Sequence, residues 1–171
     1  MIRTLTCLLF NLLILLTGGA ALAADGSLIE GRVVGIADGD TVTVLDADKT
    51  QYRIRLAGID APERGQPGAQ RSKESLSALV YDQPVRVESV NRDRFDRIVG
   101  KVWIASTDSP CRGKPDCPMT LDAGLTQITM GRAWWFRKYA DEQEARAKKA
   151  GLWRDGTAVP PWEWRQQRQG R

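Results

Sequence analysis

Asp38-Gly39-Asp40-Thr41-Val42-Thr43-Val44, then the turn cluster Asp46-Ala47-Asp48-Lys49, then Tyr52-Arg53-Ile54-Arg55-Leu56: this stretch decides the fold. Both outer runs alternate with period two, which makes them the two arms of a β-hairpin. The alternation sets Tyr52, Ile54 and Leu56 on one face and turns Arg53 and Arg55 to the other. Working outward, the Leu28–Val34 run leads through Gly35-Ile36-Ala37 into the hairpin and reads as a preceding strand. Val85–Glu88 and Ile98–Trp103 read as two further strands joined by the charged Asn91–Arg97 turn.

Between them, residues 67–81 have helical spacing, with Leu76, Leu79 and Val80 on one apolar side and Pro84 as a stop. Residues 106–119 read as a loop. Residues 121–130 read as a second helix closed by Gly131, and residues 141–150 as a third with Gly151 at its end. Five short strands interrupted by a helix after the third suit a small closed barrel of the oligonucleotide/oligosaccharide-binding (OB) type. The expected class is α+β, mainly β, with three helices; a small α+β sandwich is the competing arrangement.

The chain has 171 residues, and its first segment reads as a leader. Met1-Ile2-Arg3 is a short basic start, residues 5–16 form an apolar run, and Ala21-Leu22-Ala23 offers a small-x-small cleavage site. An uncleaved anchor is the alternative, but the run falls short of the roughly 20 residues a spanning helix needs, and Gly18-Gly19 interrupts it. The expected division is a signal peptide at 1–23, one domain at 24–158 and a basic C-terminal tail at 159–171. A periplasmic or secreted monomer without stable membrane association follows from it.

Histidine is absent. That excludes a histidine general base, a Ser-His-Asp triad and histidine-ligated zinc, and leaves proton transfer to carboxylates, water or a metal. The net charge of +4 is mild and compatible with a polyanionic partner. Basic residues gather at Arg92, Arg94 and Arg97, and again at Arg165, Arg168 and Arg171. Cys111 and Cys117 lie in a Gly/Pro-rich loop, and in an exported chain such a pair reads as a local disulfide.

The chemistry-bearing candidates are Asp40, Arg55, Asp60, Glu63 and Arg97. Carboxylates beside fixed guanidinium groups can hold calcium against a phosphodiester and stabilise its extra negative charge. Each feature has an ordinary reading as well. Asp-Gly-Asp is a common turn, Asp60-Ala61-Pro62-Glu63 an unremarkable loop, and Arg97 a partner for Asp93 or Asp96 across a turn. Their combination on adjoining hairpins favours the site.

Residues 35–42 (Gly-Ile-Ala-Asp-Gly-Asp-Thr-Val), residues 55–63 (Arg-Leu-Ala-Gly-Ile-Asp-Ala-Pro-Glu) and Asp93-Arg94-Phe95-Asp96-Arg97 together resemble the micrococcal (staphylococcal) nuclease family. Residues 131–135 and 145–153 resemble its late helices, so the likeness covers about residues 30–155. The resemblance implies that Asp40 and Asp60 ligate calcium, with the backbone carbonyl of Ala61 beside them. It implies that Glu63 orients or deprotonates the attacking water, and that Arg55 and Arg97 contact the phosphate. Arg94, Phe95 and Tyr139 would then meet the substrate. The implied activity is cleavage of the bond to the 5′ oxygen in DNA and RNA, single strands preferred, leaving 3′-phosphate ends.

Trp134, Trp135 and Phe136 could stack on bases beside Arg137 and Lys138, but Trp134 and Phe136 read better as a plug for the end of the barrel. Residues 160–164 are expected to pack back onto the domain without a function of their own. Two other function classes stay open: a non-catalytic nucleic-acid-binding OB barrel, and an exported structural or interaction domain.

Overall fold

A computed structural model of the chain describes residues 26–136, 151–154 and 157–170, apart from the Trp153 side chain. The expected leader, the expected helix at 141–150 and Tyr139 lie outside the described residues. Five strands close into a ring. Strands β1 (Leu28–Ile36), β2 (Thr41–Leu45) and β3 (Gln51–Leu56) form an antiparallel meander. Strand β4 (Ile59–Asp60) follows as a short spur, and β5 (Pro84–Arg92) and β6 (Ile98–Ala105) form the second hairpin. Strand β5 pairs antiparallel with β1, and β6 pairs parallel with β3, so these five strands close on themselves. This is the OB-type barrel expected from the alternating runs.

The inward face of each strand is the apolar one. Val33, Val42, Val44, Ile54, Val85, Val87 and Val102 have no exposed surface, and Leu56, Ile98 and Ile104 almost none. Each such side chain contributes about 1.5–3 kcal/mol relative to leaving it in water. Arg53 is exposed and Arg55 only partly so, on the opposite face, as the alternation in β3 requires.

Helix α1 (Ala69–Val80) closes one mouth of the barrel with Ser72, Leu76, Leu79 and Val80, a spacing that gathers one helical stripe. Helix α2 (Ala123–Thr129) packs beside it and is two residues shorter at its start than expected. The reason is strand β7 (Met119–Asp122): Leu121 and Asp122 pair with Ile104 and Trp103 of β6 before the helix begins. Asp122 then caps α2, its Oδ1 accepting from the N–H groups of Gly124 and Leu125 at 2.8 and 3.1 Å. At the other end Gly131, with φ of 64°, turns the chain so that its N–H reaches the Ile128 carbonyl.

Strand β8 (Trp134–Trp135) pairs with β4; both tryptophans are buried, Trp135 within the hydrophobic core, while Phe136, expected with Trp134 as a plug, is half-buried against Trp162. Cys111 and Cys117 form a disulfide. Its loop is pinned to the end of α1 by Arg112, whose Nη2 donates to the Leu79 carbonyl at 2.6 Å. Residues 160–164 pack back onto the domain as expected, but as part of a helix that the sequence did not signal. Residues Pro161–Gln169 form a helix, α3, that lies back on the domain, with Trp162 against Phe136 at 5.8 Å between ring centroids. No helix among the described residues is long and apolar enough to cross a membrane.

Candidate active site

The register of the barrel brings the five candidates to one rim. Thr41, beside Asp40, pairs with Arg55 across β2 and β3, and Arg55 pairs with Val99 just past the β5–β6 turn. The Asp38-Gly39-Asp40 turn is seated tightly against α1. A Cβ built on Gly39 would lie 1.9 Å from Ser72 Oγ and 2.8 Å from Ala61 Cβ, so only glycine fits there. The fully buried Gln127 of α2 fixes the same turn, its Nε2 donating to the carbonyls of Gly39 at 3.1 Å and Ser72 at 3.0 Å.

Asp40 and Asp60 are buried side by side. Asp40 Oδ2 accepts from the Ala61 N–H at 3.1 Å and Oδ1 from Thr41 Oγ1 at 2.9 Å. Arg55 bridges the two acids: its Nη2 donates to Asp60 Oδ1 at 2.8 Å and lies 3.4 Å from Asp40 Oδ2. Its Nη1 donates to the Ile59 carbonyl at 3.0 Å, which fixes the guanidinium plane. Burial raises the Asp60 pKa above the ordinary carboxylate value, opposed by Arg165 and Arg55 and reinforced by Asp40. Asp38 is raised to about 6, first by burial and then by the charge of Asp40.

Arg97 is held on both sides. Asp93, within the same turn, accepts from Arg97 Nε at 2.7 Å and from the N–H groups of Phe95 and Arg97. The ordinary Asp93 pairing is therefore real, but it is not the whole role of Arg97. Its Nη1 also donates to Thr41 Oγ1 at 3.1 Å, and that hydroxyl in turn donates to Asp40. The other turn acid, Asp96, pairs instead with Arg92.

Glu63 enters from the loop after β4. Its N–H donates to Gln66 Oε1 at 2.9 Å, and the Gln66 Nε2 donates onward to the Val159 carbonyl at 2.6 Å. The Glu63 carboxylate is bound by Arg165 of α3, whose Nη1 lies 2.6 Å from Glu63 Oε1 and Nη2 2.8 Å from Asp60 Oδ2. Sequence reasoning noted Arg165 only as part of a basic tail; no local pattern ties it to a residue 105 positions away. Thr41, Gln66 and Gln127 were likewise not singled out.

Phe95 is 61% exposed at the tip of the β5–β6 turn, with the Arg94 and Arg97 guanidinium carbons 4.8 and 5.6 Å from its ring centroid. An exposed aromatic ring beside two cations is the kind of surface that can meet a base and a phosphate.

At this rim the ligand atoms of the described residues are oxygens, which suits a hard divalent cation. Among the described residues no group of three or more His, Cys, Asp or Glu side chains is arranged as a metal cage. Two buried carboxylates with a neighbouring backbone carbonyl would serve such an ion only with water or substrate oxygens in the rest of its shell.

A family model described as staphylococcal nuclease homologue matches residues 53–155. It takes in Arg55, Asp60, Ala61, Glu63 and Arg97, begins after Asp40 and ends before Arg165. The chain is 38% identical over 152 residues to Protein ParB of Escherichia coli, covering 84% of this chain and 82% of that protein. It is 36% identical over 152 residues to a micrococcal nuclease of Shigella flexneri, covering 79% of each. A Haemophilus influenzae protein named as an uncharacterized endonuclease is 33% identical over 167 residues, 94% of this chain and 85% of its own length. The chain belongs to the staphylococcal nuclease family, a family of nuclease hydrolases.

Proposed function

We propose that this protein is an exported, calcium-dependent nuclease that hydrolyses phosphodiester bonds of DNA and RNA with little sequence preference, acting mainly on single strands and leaving 3′-phosphate ends. The observation that carries this reading is the unbroken run of contacts from Arg97 through Thr41, Asp40 and Arg55 to Asp60. A barrel that only bound nucleic acid would have no need to bury two acids beneath two fixed guanidinium groups.

Asp40, Asp60 and the Ala61 carbonyl would hold the cation, which when bound neutralises the non-bridging phosphate oxygens. Glu63 takes a proton from the attacking water as its oxygen bonds to phosphorus. The bond to the 5′ oxygen breaks, and that oxygen leaves with a proton from solvent. Arg55 and Arg97 donate to the equatorial oxygens, whose charge grows in the five-coordinate transition state. Asp93 and Ile59 fix the two guanidinium planes, so little reorganisation is needed at that moment. Phe95 and Arg94 receive a base and a phosphate of a flexible strand; a stacked base contributes about 1–3 kcal/mol.

Incubating the protein with single-stranded DNA and RNA in calcium, then in chelator, tests the reading. Cleavage in calcium alone, with products that carry a 3′ phosphate and a 5′ hydroxyl, supports it. Binding without cleavage would favour the non-catalytic barrel.

A further inference from the structure

Arg165 occupies the oxygens that the catalytic reading needs. Its Nη2 lies 2.8 Å from Asp60 Oδ2, and its Nη1 lies 3.3 Å from Asp60 Oδ1 and 2.6 Å from Glu63 Oε1. Asp60 Oδ1 also accepts from Arg55, so both oxygens of this acid are held by guanidinium groups. A calcium ion sits about 2.3–2.6 Å from a carboxylate oxygen, which would set a dication directly against the Arg165 fork. Glu63, for its part, has its Oε1 held by that fork, which ties the carboxylate to α3.

The two arginines are not equally placed to leave. Arg55 stands on a barrel strand, its side chain 18% exposed and tied to the Ile59 carbonyl. Arg165 stands on the last helix, its side chain 39% exposed. Among the described residues that helix is fastened by Gln66 to the Val159 carbonyl, the buried Pro161, and Trp162 on Phe136. One of these, Gln66, also holds the Glu63 backbone, so the fastening and the site share a residue.

We propose that α3 is an autoinhibitory strap, and that Arg165 is a built-in cation on Asp60 and Glu63 which a divalent ion must displace before the site can work. The proposal rests on the metal-dependent reading above and adds to it a regulated step. With the strap closed, Asp40, Asp60 and Glu63 carry three formal negative charges against the two positive charges of Arg55 and Arg165. Opening the strap removes one of those positive charges, so the acids attract a dication more strongly and Glu63 is released to its base position. Metal loading and activation thereby become one event.

The test is calorimetric titration with calcium alone, in the full chain and in Arg165→Gln. Calcium affinity is expected to rise about tenfold or more in the variant, because calcium sites are tuned by their charge count. Hydrogen exchange across residues 157–170 is expected to speed up when calcium is added to the wild-type protein, and to be fast without calcium in Arg165→Gln. Should Arg165→Gln fold poorly, Trp162→Ala loosens the strap with every charge in place, and its calcium affinity should rise in the same direction by a smaller factor. Unchanged or weaker calcium binding in these variants, with calcium-dependent cleavage intact in the wild type, would overturn the strap alone. Lowered turnover in Arg165→Gln at unchanged calcium affinity would also overturn it, making Arg165 a substrate contact. Calcium-independent cleavage, with no calcium binding by any of the proteins, would overturn the metal reading and the strap together.

Discussion

Arg55 donates from Nη2 to Asp60 Oδ1 at 2.8 Å and stands within 3.4 Å of Asp40, so one guanidinium serves as counter-charge to two buried acids. Its removal should therefore be felt in stability as well as in turnover. Arg55→Ala should lower turnover by about 10²–10³, the usual cost of losing one preorganised donor. It should also destabilise the metal-free protein by about 3–5 kcal/mol, since it takes the guanidinium from the buried Asp40, while Asp60 keeps Arg165. Calcium should restore most of that stability. Thermal melts with and without calcium, beside steady-state rates, check both halves; turnover within tenfold of wild type would contradict the assignment.

Asp93 holds Arg97, and the pair has a pH signature. Burial pushes the Asp93 carboxyl up, but the Arg97 side chain and the N–H groups of Arg97 and Phe95 outweigh it, and the folded pKa lies below the ordinary 3.8. A depressed carboxylate pKa contributes stability that is fully present above 3.8 and is lost as pH falls through the lower folded value. Asp93→Asn should therefore flatten the acid limb of melting temperature against pH below that point. At neutral pH it should lower kcat about tenfold with a smaller change in KM, because Arg97 loses its aim and not its charge.

Gly39 gives the site its place on the barrel. Gly39→Ala drives a methyl group into Ser72 and Ala61, and overpacking of this kind costs about 1–3 kcal/mol. The Asp40 turn has to shift outward to relieve it. Calcium affinity measured by calorimetry should fall along with the melting temperature. A stability loss with unchanged calcium affinity would show that the turn does not position Asp40 for metal.

The disulfide is a staple in the loop that Arg112 fastens to the end of α1. Reduction of Cys111–Cys117 should leave turnover largely unchanged and destabilise the fold by about 2 kcal/mol, the entropic scale for so short a loop. A melt and an activity assay in reductant test this. A large activity loss without unfolding would mean that the loop shapes the site through its hold on α1.

The barrel was legible because the central hairpin carries a period-two signal, as in Tyr52, Ile54 and Leu56 against Arg53 and Arg55, and the other three strands are short apolar runs bounded by turns. The rim was legible because its acids and arginines sit in or beside those strands, where register alone brings them together. Strands β4, β7 and β8 were not legible, being two to four residues long and stabilised by pairing partners far along the chain. The start of α2 was misplaced for the same reason: Leu121 has the pattern of a helix but the pairing of a strand. Helix α3 and Arg165 were hidden most completely. A Gln/Arg-rich segment has little apolar signal, and the Asp60 and Glu63 contacts that seat it span more than one hundred positions.

The most direct test of the whole account is a calcium titration of the wild-type protein and Asp40→Asn by calorimetry, paired with turnover on single-stranded DNA. Asp40 lies outside the segment matched to the family, so its role has to be earned on its own. The account expects calcium affinity and turnover to fall together in the variant while the barrel stays folded. A folded Asp40→Asn that binds calcium as tightly as wild type, or cleaves as fast, would contradict it.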